Sequence, residues 1–168
     1  GEAFRNCSGF TGSLTIPNSV TIIGDNAFRD CSGFNGTLTI GNSLESIGLG
    51  VFHGCSGFTG SLIIPNSVTL IETGAFYDCS GFTGPLTIPN SVKTIGNSAF
   101  ENCSGFTGNL TIPDSVEEIG DEAFKGCSGL TGSLSIGSSM GNSYWGIGKN
   151  VFDGCNFTNI ISKSQTAP

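Results

Sequence analysis

Polar and apolar side chains alternate in Ser13-Leu14-Thr15-Ile16, near the start of the chain. Alternation with a period of two is typical of a β-strand that buries one face. Pro17 ends the strand because proline has no amide hydrogen to give to a ladder. Asn18-Ser19 then favours a turn. The pattern predicts a short strand with polar residues at its outward positions.

The residues after this strand form a second apolar edge without strict periodicity. Val20 and Ile23 are spaced to turn the chain back along that edge, and Gly24 permits a sharp corner. Ala27-Phe28 favours a short 3₁₀-like or helical turn. Cys31-Ser32-Gly33 then begins the same pattern again.

The same order of residues recurs along nearly the whole chain. The cysteines are spaced by 24 residues five times and then by 28, at Cys7, Cys31, Cys55, Cys79, Cys103, Cys127 and Cys155. Phenylalanines form one column at Phe4, Phe28, Phe52, Phe76, Phe100, Phe124 and Phe152, and another from Phe10 to Phe106 that continues with Leu130 and Phe157. One unit has too little apolar surface to fold alone, so the units have to stack on their neighbours as a solenoid.

The repeated motif is Leu-Thr-Ile-Pro-Asn-Ser-Val-x-x-Ile-Gly-x-x-Ala-Phe-x-x-Cys, and it resembles the BspA-like leucine-rich repeats of bacterial and protist surface proteins. The resemblance spans about residues 1–161. It implies a mainly β, right-handed leucine-rich-repeat solenoid that is displayed at the cell surface and serves adhesion or protein binding rather than catalysis. We therefore expect about seven 24-residue units with a parallel strand face, and short 3₁₀ or turn segments on the other sides. Residues 1–161 are expected to be a fragment of a longer array and residues 162–168 a C-terminal linker.

The net charge of −7 restricts the classes of partner that we expect. It argues against nucleic acid or an anionic membrane surface, and apolar runs of only a few residues argue against membrane insertion. The first residues, Gly1-Glu2-Ala3-Phe4-Arg5, lack the features of a signal peptide. The extracellular or cell-surface location is therefore an expectation from the resemblance.

The cysteine spacing and one serine motif resemble patterns of metal binding and catalysis, but neither has the features that this chemistry requires. The 24-residue cysteine spacing lacks the short ligand spacings of a zinc site and predicts a column of buried free thiols. Gly137-Ser138-Ser139-Met140-Gly141 matches the nucleophile-elbow pattern, but the one histidine, His53, lies upstream, and Ser139 aligns with the turn serines. His53 falls in a column that is expected to face solvent, together with Arg5, Arg29, Tyr77, Glu101, Lys125 and Asp153. The sequence predicts no enzyme, no metal site and no cofactor.

The residues Asp114, Glu117, Glu118, Asp121 and Glu122 form a dense acidic patch in one unit. Their spacing follows the repeat and not a calcium-binding loop. A solvated edge is the expected role, and weak cation binding or contact with a basic partner is the alternative.

The outward strand positions form two uncharged, hydroxyl-rich columns, and they are the predicted ligand-binding face. The first column is Ser13, Thr37, Ser61, Pro85, Asn109 and Ser133, and the second is Thr15, Thr39, Ile63, Thr87, Thr111 and Ser135. Small polar residues also suit an exposed strand face that has no partner. The sequence therefore supports two interpretations of this face equally, a partner surface and an inert face.

Residues 141–146 carry a four-residue insertion with Tyr144 and Trp145. Insertions in repeats map to loops, often on a binding face, so these aromatic side chains are candidates for a loop contact with a ligand. A hydrophobic lid over the end of the phenylalanine column is the other interpretation, and it is the favoured one.

These observations predict a non-catalytic adhesion module that recognises a protein or glycan on a host or neighbouring cell. A purely structural stalk that projects another domain is the alternative. Binding of ice or crystal surfaces by the serine and threonine columns is a remote one, because Ile63, Pro85 and Asn109 interrupt them. End-to-end self-association of the fragment is also expected from apolar ends.

Overall fold

The structure is a computed structural model that describes residues 1–142 and 146–162. We number the repeats from their cysteines, so that repeat 1 is 7–30, repeat 2 is 31–54, repeat 3 is 55–78, repeat 4 is 79–102, repeat 5 is 103–126 and repeat 6 is 127–154. Each repeat is one turn of a β-solenoid and contacts the repeats before and after it. The predicted mainly β solenoid with parallel strands is confirmed.

The described strands are short and all their pairings are parallel. They are β1 Leu14–Ile16, β2 Leu38–Ile40, β3 Ser46–Ile47, β4 Leu70–Ile71, β5 Thr94–Ile95, β6 Leu110–Ile112, β7 Glu118–Ile119, β8 Ser133–Ile136 and β9 Asn159–Ser162. A 3₁₀ helix spans Ser138–Asn142.

The predicted strand face is formed by β1 paired with β2 and by β6, β8 and β9 in that order. Its registers join equivalent positions of successive repeats, such as Thr15 with Thr39 and Thr111 with Ser135. In β2, Leu38 and Ile40 are buried while Thr39 is exposed. The alternation read from the sequence is therefore the burial pattern of the strand.

A second parallel sheet, in the order β3, β4, β5 and β7, lies along the edge that the sequence marked only as apolar. Its isoleucines, Ile47, Ile71, Ile95 and Ile119, are buried. The sequence did not predict strands here, because each strand is two residues long and shows no alternation. Repeat 1 has no strand at this edge, and its Ile22 is 83% exposed.

The third side of the solenoid consists of successive tight turns, which agrees with the predicted 3₁₀ or turn segments. Where repeat 1 passes into repeat 2, Ala27, Arg29 and Cys31 each donate a backbone hydrogen bond to the carbonyl three residues earlier. Asn26 and Asp30 have positive φ angles of 54° and 60°, a conformation that asparagine, aspartate and glycine tolerate best. The backbone amides that the turns leave free, such as Phe28 N to Val51 O at 3.0 Å, donate to the next repeat.

The two phenylalanine columns fill the core. In the first column, Phe76 and Phe100 stack with ring centroids 5.4 Å apart and planes 7° apart. In the second, Phe82 and Phe106 stack at 6.0 Å. Between columns, Phe76 and Phe82 meet edge to face at 6.3 Å. Both arrangements are favourable geometries for aromatic pairs, so each ring contacts its own repeat and both neighbours.

The cysteines form the predicted column of free thiols. Each thiol from Cys31 onward donates to the carbonyl of a phenylalanine in the first column, as in Cys79 Sγ to Phe52 O at 3.0 Å. The Ser-Gly that follows each cysteine from Cys31 to Cys127 places the backbone against the preceding repeat. A Cβ at Gly57 or Gly81 would overlap a carbonyl oxygen of that repeat, so only glycine fits there.

Replacing a central ring should cost far more stability than replacing a terminal one. Phe76→Ala removes a fully buried side chain and should lower the free energy of unfolding by about 3–5 kcal/mol. Phe4 is 43% exposed, so Phe4→Ala should cost less than half as much. Urea unfolding followed by circular dichroism measures both. Equal losses would contradict the central role of the columns.

The thiols should differ in reactivity along the column. Burial raises the pKa of Cys55 to about 12, and it raises the pKa values of Cys79 and Cys103 well above the usual 9.0. At pH 8, Ellman's reagent should therefore label the half-buried Cys7 first and label Cys79 and Cys103 only after unfolding. Single-cysteine deletions assign the signal. Equal rates for Cys7 and Cys79 in the folded chain would show that the column is open to solvent.

Candidate functional site

The two predicted columns lie side by side on the strand face. In repeats 1–5 their residues are exposed, whereas Ser133 and Ser135 in repeat 6 are half-buried. The strand registers place β1 directly beside β2, and β6 beside β8. The fold thus brings the predicted residues to one surface, and neither column contains a charged residue.

A shallow groove of about 480 Å³ lies on this face at repeats 3 and 4. Ile63 contributes an apolar side chain that is 73% exposed, and the exposed Pro85 extends the apolar surface. Ser61 and Thr87 supply hydroxyls. A second depression of about 250 Å³ shares Pro85 and Thr87 and continues toward repeat 5. We call the two together the strand-face groove; no charged side chain lines it.

The groove lies where the strand ladder is interrupted. Residues 62–64 and 86–88 occupy strand positions but form no strand. None of their backbone amides donates a hydrogen bond to another residue in the described part of the chain. We call repeats 3 and 4 the open repeats. In them the second sheet, through β4 and β5, provides the pairing that the strand face lacks.

Pro85 accounts for the missing bonds between repeats 3 and 4 and between repeats 4 and 5; the gap between β2 and residues 62–64 contains no proline at this position. Where the ladder is closed, the residue at this position links two repeats: Ser13 Oγ accepts from Thr37 N at 3.0 Å, and Asn109 Oδ1 accepts from Ser133 N at 2.7 Å. Proline has neither an amide hydrogen nor a side-chain acceptor. It therefore neither donates to Ser61 nor accepts from Asn109. The sequence contained this signal as the one proline in the hydroxyl column.

The side chains of the acidic patch make separate contacts with different partners. Glu117 lies 3.4 Å from Lys93, and Glu122 lies 3.0 Å from Lys125. Asp121 accepts a hydrogen bond from the backbone amide of Lys149 at 2.7 Å. Among the described residues no group of histidine, cysteine and acidic side chains is arranged to hold a metal ion. Most of the patch links neighbouring repeats.

The column that contains His53 is less exposed than the sequence suggested. His53 stacks on Tyr77 with centroids 4.5 Å apart, and burial, followed by the charge of Arg29, lowers the pKa of His53. Glu101 is 7% exposed and lies 3.4 Å from Lys125. The expected solvent-facing column is therefore wrong at Glu101, because its carboxylate packs under the lysine of the next repeat.

The loop candidates Tyr144 and Trp145 lie outside the described residues. Beside them, Gly146 accepts a hydrogen bond from Ile119 N at 2.8 Å, and Ile147 bridges to Ile119. Ser139 lies in the 3₁₀ helix and is separated from His53 by several turns of the solenoid. Of the predicted 162–168 linker, only Ser162 is described, and it ends β9. No helix among the described residues has the length and apolar character required to cross a membrane.

The family model and the solved structures that match this chain are all of leucine-rich repeat proteins. A family model described as a BspA type leucine rich repeat region matches in six copies, over residues 1–131 and 103–167. No curated protein matches the chain. A leucine-rich repeat protein from Bacteroides ovatus is 30% identical with a TM-score of 0.71, and the match covers 90% of this chain and 37% of that one.

Two further solved structures are similar. A leucine rich cell surface protein from Faecalibacterium prausnitzii is 33% identical with a TM-score of 0.76, covering 94% of this chain and 40% of that one. The T. pallidum leucine rich repeat protein is 23% identical with a TM-score of 0.74, covering 90% of this chain and 70% of that one, and it supports the fold alone. The chain thus spans less than half the length of the B. ovatus and F. prausnitzii proteins.

Amide hydrogen exchange should report the interrupted ladder. Amides of residues 62–64 and 86–88 should exchange about tenfold or more faster than the amides of β2 and β6 that face β1 and β8, because only the latter have ladder partners. Pro85→Ser supplies an acceptor and should slow exchange at Asn109. Exchange at Ser133, which already has a partner, should not change. Equal protection of 62–64 and β2 would contradict the interruption.

Proposed function

The chain belongs to the BspA-type leucine-rich repeat family, and on this basis we propose that it is a non-catalytic binding module of a cell-surface protein. Its strand face recognises a protein or a glycan on a host or neighbouring cell, and the module serves adhesion. The whole protein's activity and partners are part of this proposal, because the chain spans only 37% and 40% of two similar proteins.

The observation that carries the proposal is the strand-face groove. It combines a strongly exposed isoleucine, Ile63, with hydroxyls and unpaired backbone amides on an otherwise regular surface. Concave sites with apolar walls and a few polar groups are where ligands bind. Charged residues make up only 11% of the chain and lie outside the groove.

Two observations support the surface location and the non-catalytic role. The similar F. prausnitzii protein is described as a cell surface protein, and we extend that location to this chain. The one histidine, His53, packs against Tyr77 on the turn side and not on the strand face. General acid–base chemistry at the groove would therefore have no imidazole.

The second candidate is a structural stalk that projects another domain. It is favoured by the turn-side hydrogen bonds, which continue from Phe4 N to Ala27 O through to Phe124 N to Val151 O. Such continuity gives a uniform rod. A stalk gives the strand face no ligand, so the two candidates differ in what substitutions on that face do.

Arginine on the strand face should abolish adhesion. Beads coated with the chain should bind epithelial cells or extracellular matrix, and Thr87→Arg with Thr111→Arg should lower binding about tenfold or more, because two long charged side chains would cover the groove. Bead counts after washing measure the effect.

The matched control is Thr21→Arg with Thr69→Arg, which adds the same charge at exposed positions on the second edge. This control should adhere like the wild type. Normal adhesion of the folded strand-face variant would show that the strand face is not the binding surface. If the wild-type chain does not adhere at all, the stalk is the correct reading.

A further inference from the structure

We propose that the strand-face groove binds an uncharged oligosaccharide, whose hydroxyls pair with the polar groups that the open repeats leave free. This inference rests on the proposed function, because it names the ligand class of the same face. It concerns repeats 3–5, where Ile63, Pro85 and Thr87 line the groove.

The open repeats present an unusual number of unpaired polar groups. Besides the six backbone amides of 62–64 and 86–88, the side-chain amides of Asn66 and Asn90 have no hydrogen-bond partner among the described residues. In repeats 1 and 5 the equivalent side chains are occupied: Asn18 Oδ1 accepts from Asn42 N, and Asp114 Oδ1 accepts from Ser138 N, each at 2.8 Å. A carboxamide both donates and accepts hydrogen bonds, as does a sugar hydroxyl.

The topology disfavours a peptide that adds a strand. Strand addition requires the free edge of a sheet, where a whole row of backbone groups faces outward. Residues 62–64 and 86–88 instead have a further repeat on each side, with β2 before them and β6 after them. A ligand has to lie on the face and reach individual groups, which hydroxyls around a sugar ring do in several directions.

Charge selects an uncharged chain. The protein has 13 acidic and 6 basic residues, and none of them lines the groove. The net charge of −7 repels an anionic polysaccharide. A cationic chain would be drawn to the acidic side chains of repeat 5, such as Glu117 and Glu118, and not to the groove. An uncharged chain meets neither effect.

The apolar part of the groove also suits a sugar ligand. Ile63 and Pro85 are its exposed apolar lining residues, and aliphatic surface suits the C–H face of a pyranose ring. Successive repeats are about 4.8 Å apart, so repeats 3–5 span roughly 10 Å. That length accommodates two or more sugar units across the repeats.

The test is a nuclear magnetic resonance titration of the ¹⁵N-labelled chain. The probes are cellohexaose, maltohexaose, laminarihexaose and mannohexaose, with hexagalacturonate as the anionic counterpart. At least one neutral hexasaccharide should give saturable shifts centred on amides 62–64 and 86–88. Thr87→Arg should weaken that binding about tenfold or more. The matched control Thr15→Arg, in the same column but on the closed ladder of repeat 1, should bind like the wild type.

Three outcomes overturn the inference: none of the four neutral sugars binds, only hexagalacturonate binds, or Thr15→Arg weakens binding as much as Thr87→Arg. Loss of bead adhesion in the Thr87→Arg, Thr111→Arg variant without any neutral sugar binding would leave the strand face as the binding surface and make a protein its ligand. Sugar binding together with unaltered adhesion would support the inference and remove adhesion as its purpose.

Discussion

The structure depends on hydrogen bonds that each repeat cannot make within itself. The amide of Phe28 donates to Val51 of the following repeat, and the amide of Phe52 donates to Ala75 in the same way. Because the partner is always the adjacent turn, stability is carried by nearest-neighbour contacts. The stacked rings and the cysteine thiols follow the same rule, since each contacts the equivalent or the preceding phenylalanine.

Strands pair on two sides of the solenoid, and in repeats 3 and 4 they pair on the second side alone. Repeats 1 and 2 pair through β1 and β2 on the strand face and leave Ile22 exposed at the second edge. The second sheet pairs in repeats 2–5, whereas the strand face is open at repeats 3 and 4, because β2 pairs with β1 and β6 pairs with β8. The turn side continues through both regions. The rod therefore remains intact while one face changes from a closed ladder to a groove.

Much of this architecture was readable from the sequence, and the parts that were not have physical reasons. The strand at 13–16 and the phenylalanine columns were predicted, because alternation and repetition report burial directly.

The second sheet was missed, since two-residue strands such as β3 leave no period to detect. The groove was missed too, although Pro85 and Ile63 were noted as interruptions. One proline signals a missing bond, but only coordinates show that the second sheet compensates for it. The burial of Glu101 depends on Lys125 in another repeat, a pairing that no local pattern shows.

The position of the groove bears on its use. A binding surface has to present polar groups that are not already paired, and a continuous ladder pairs all of them. In repeats 3 and 4 the strand-face ladder is absent, yet the turn-side bonds and the second sheet hold the backbone in place. A ligand there would gain hydrogen bonds without having to break any in the protein, and it would meet a surface that is already ordered, which reduces the entropy lost on binding. A uniform stalk gains nothing from such an interruption. The interrupted ladder loses one set of hydrogen bonds. Ligand recognition at the strand face therefore explains it better than a role as a structural stalk does.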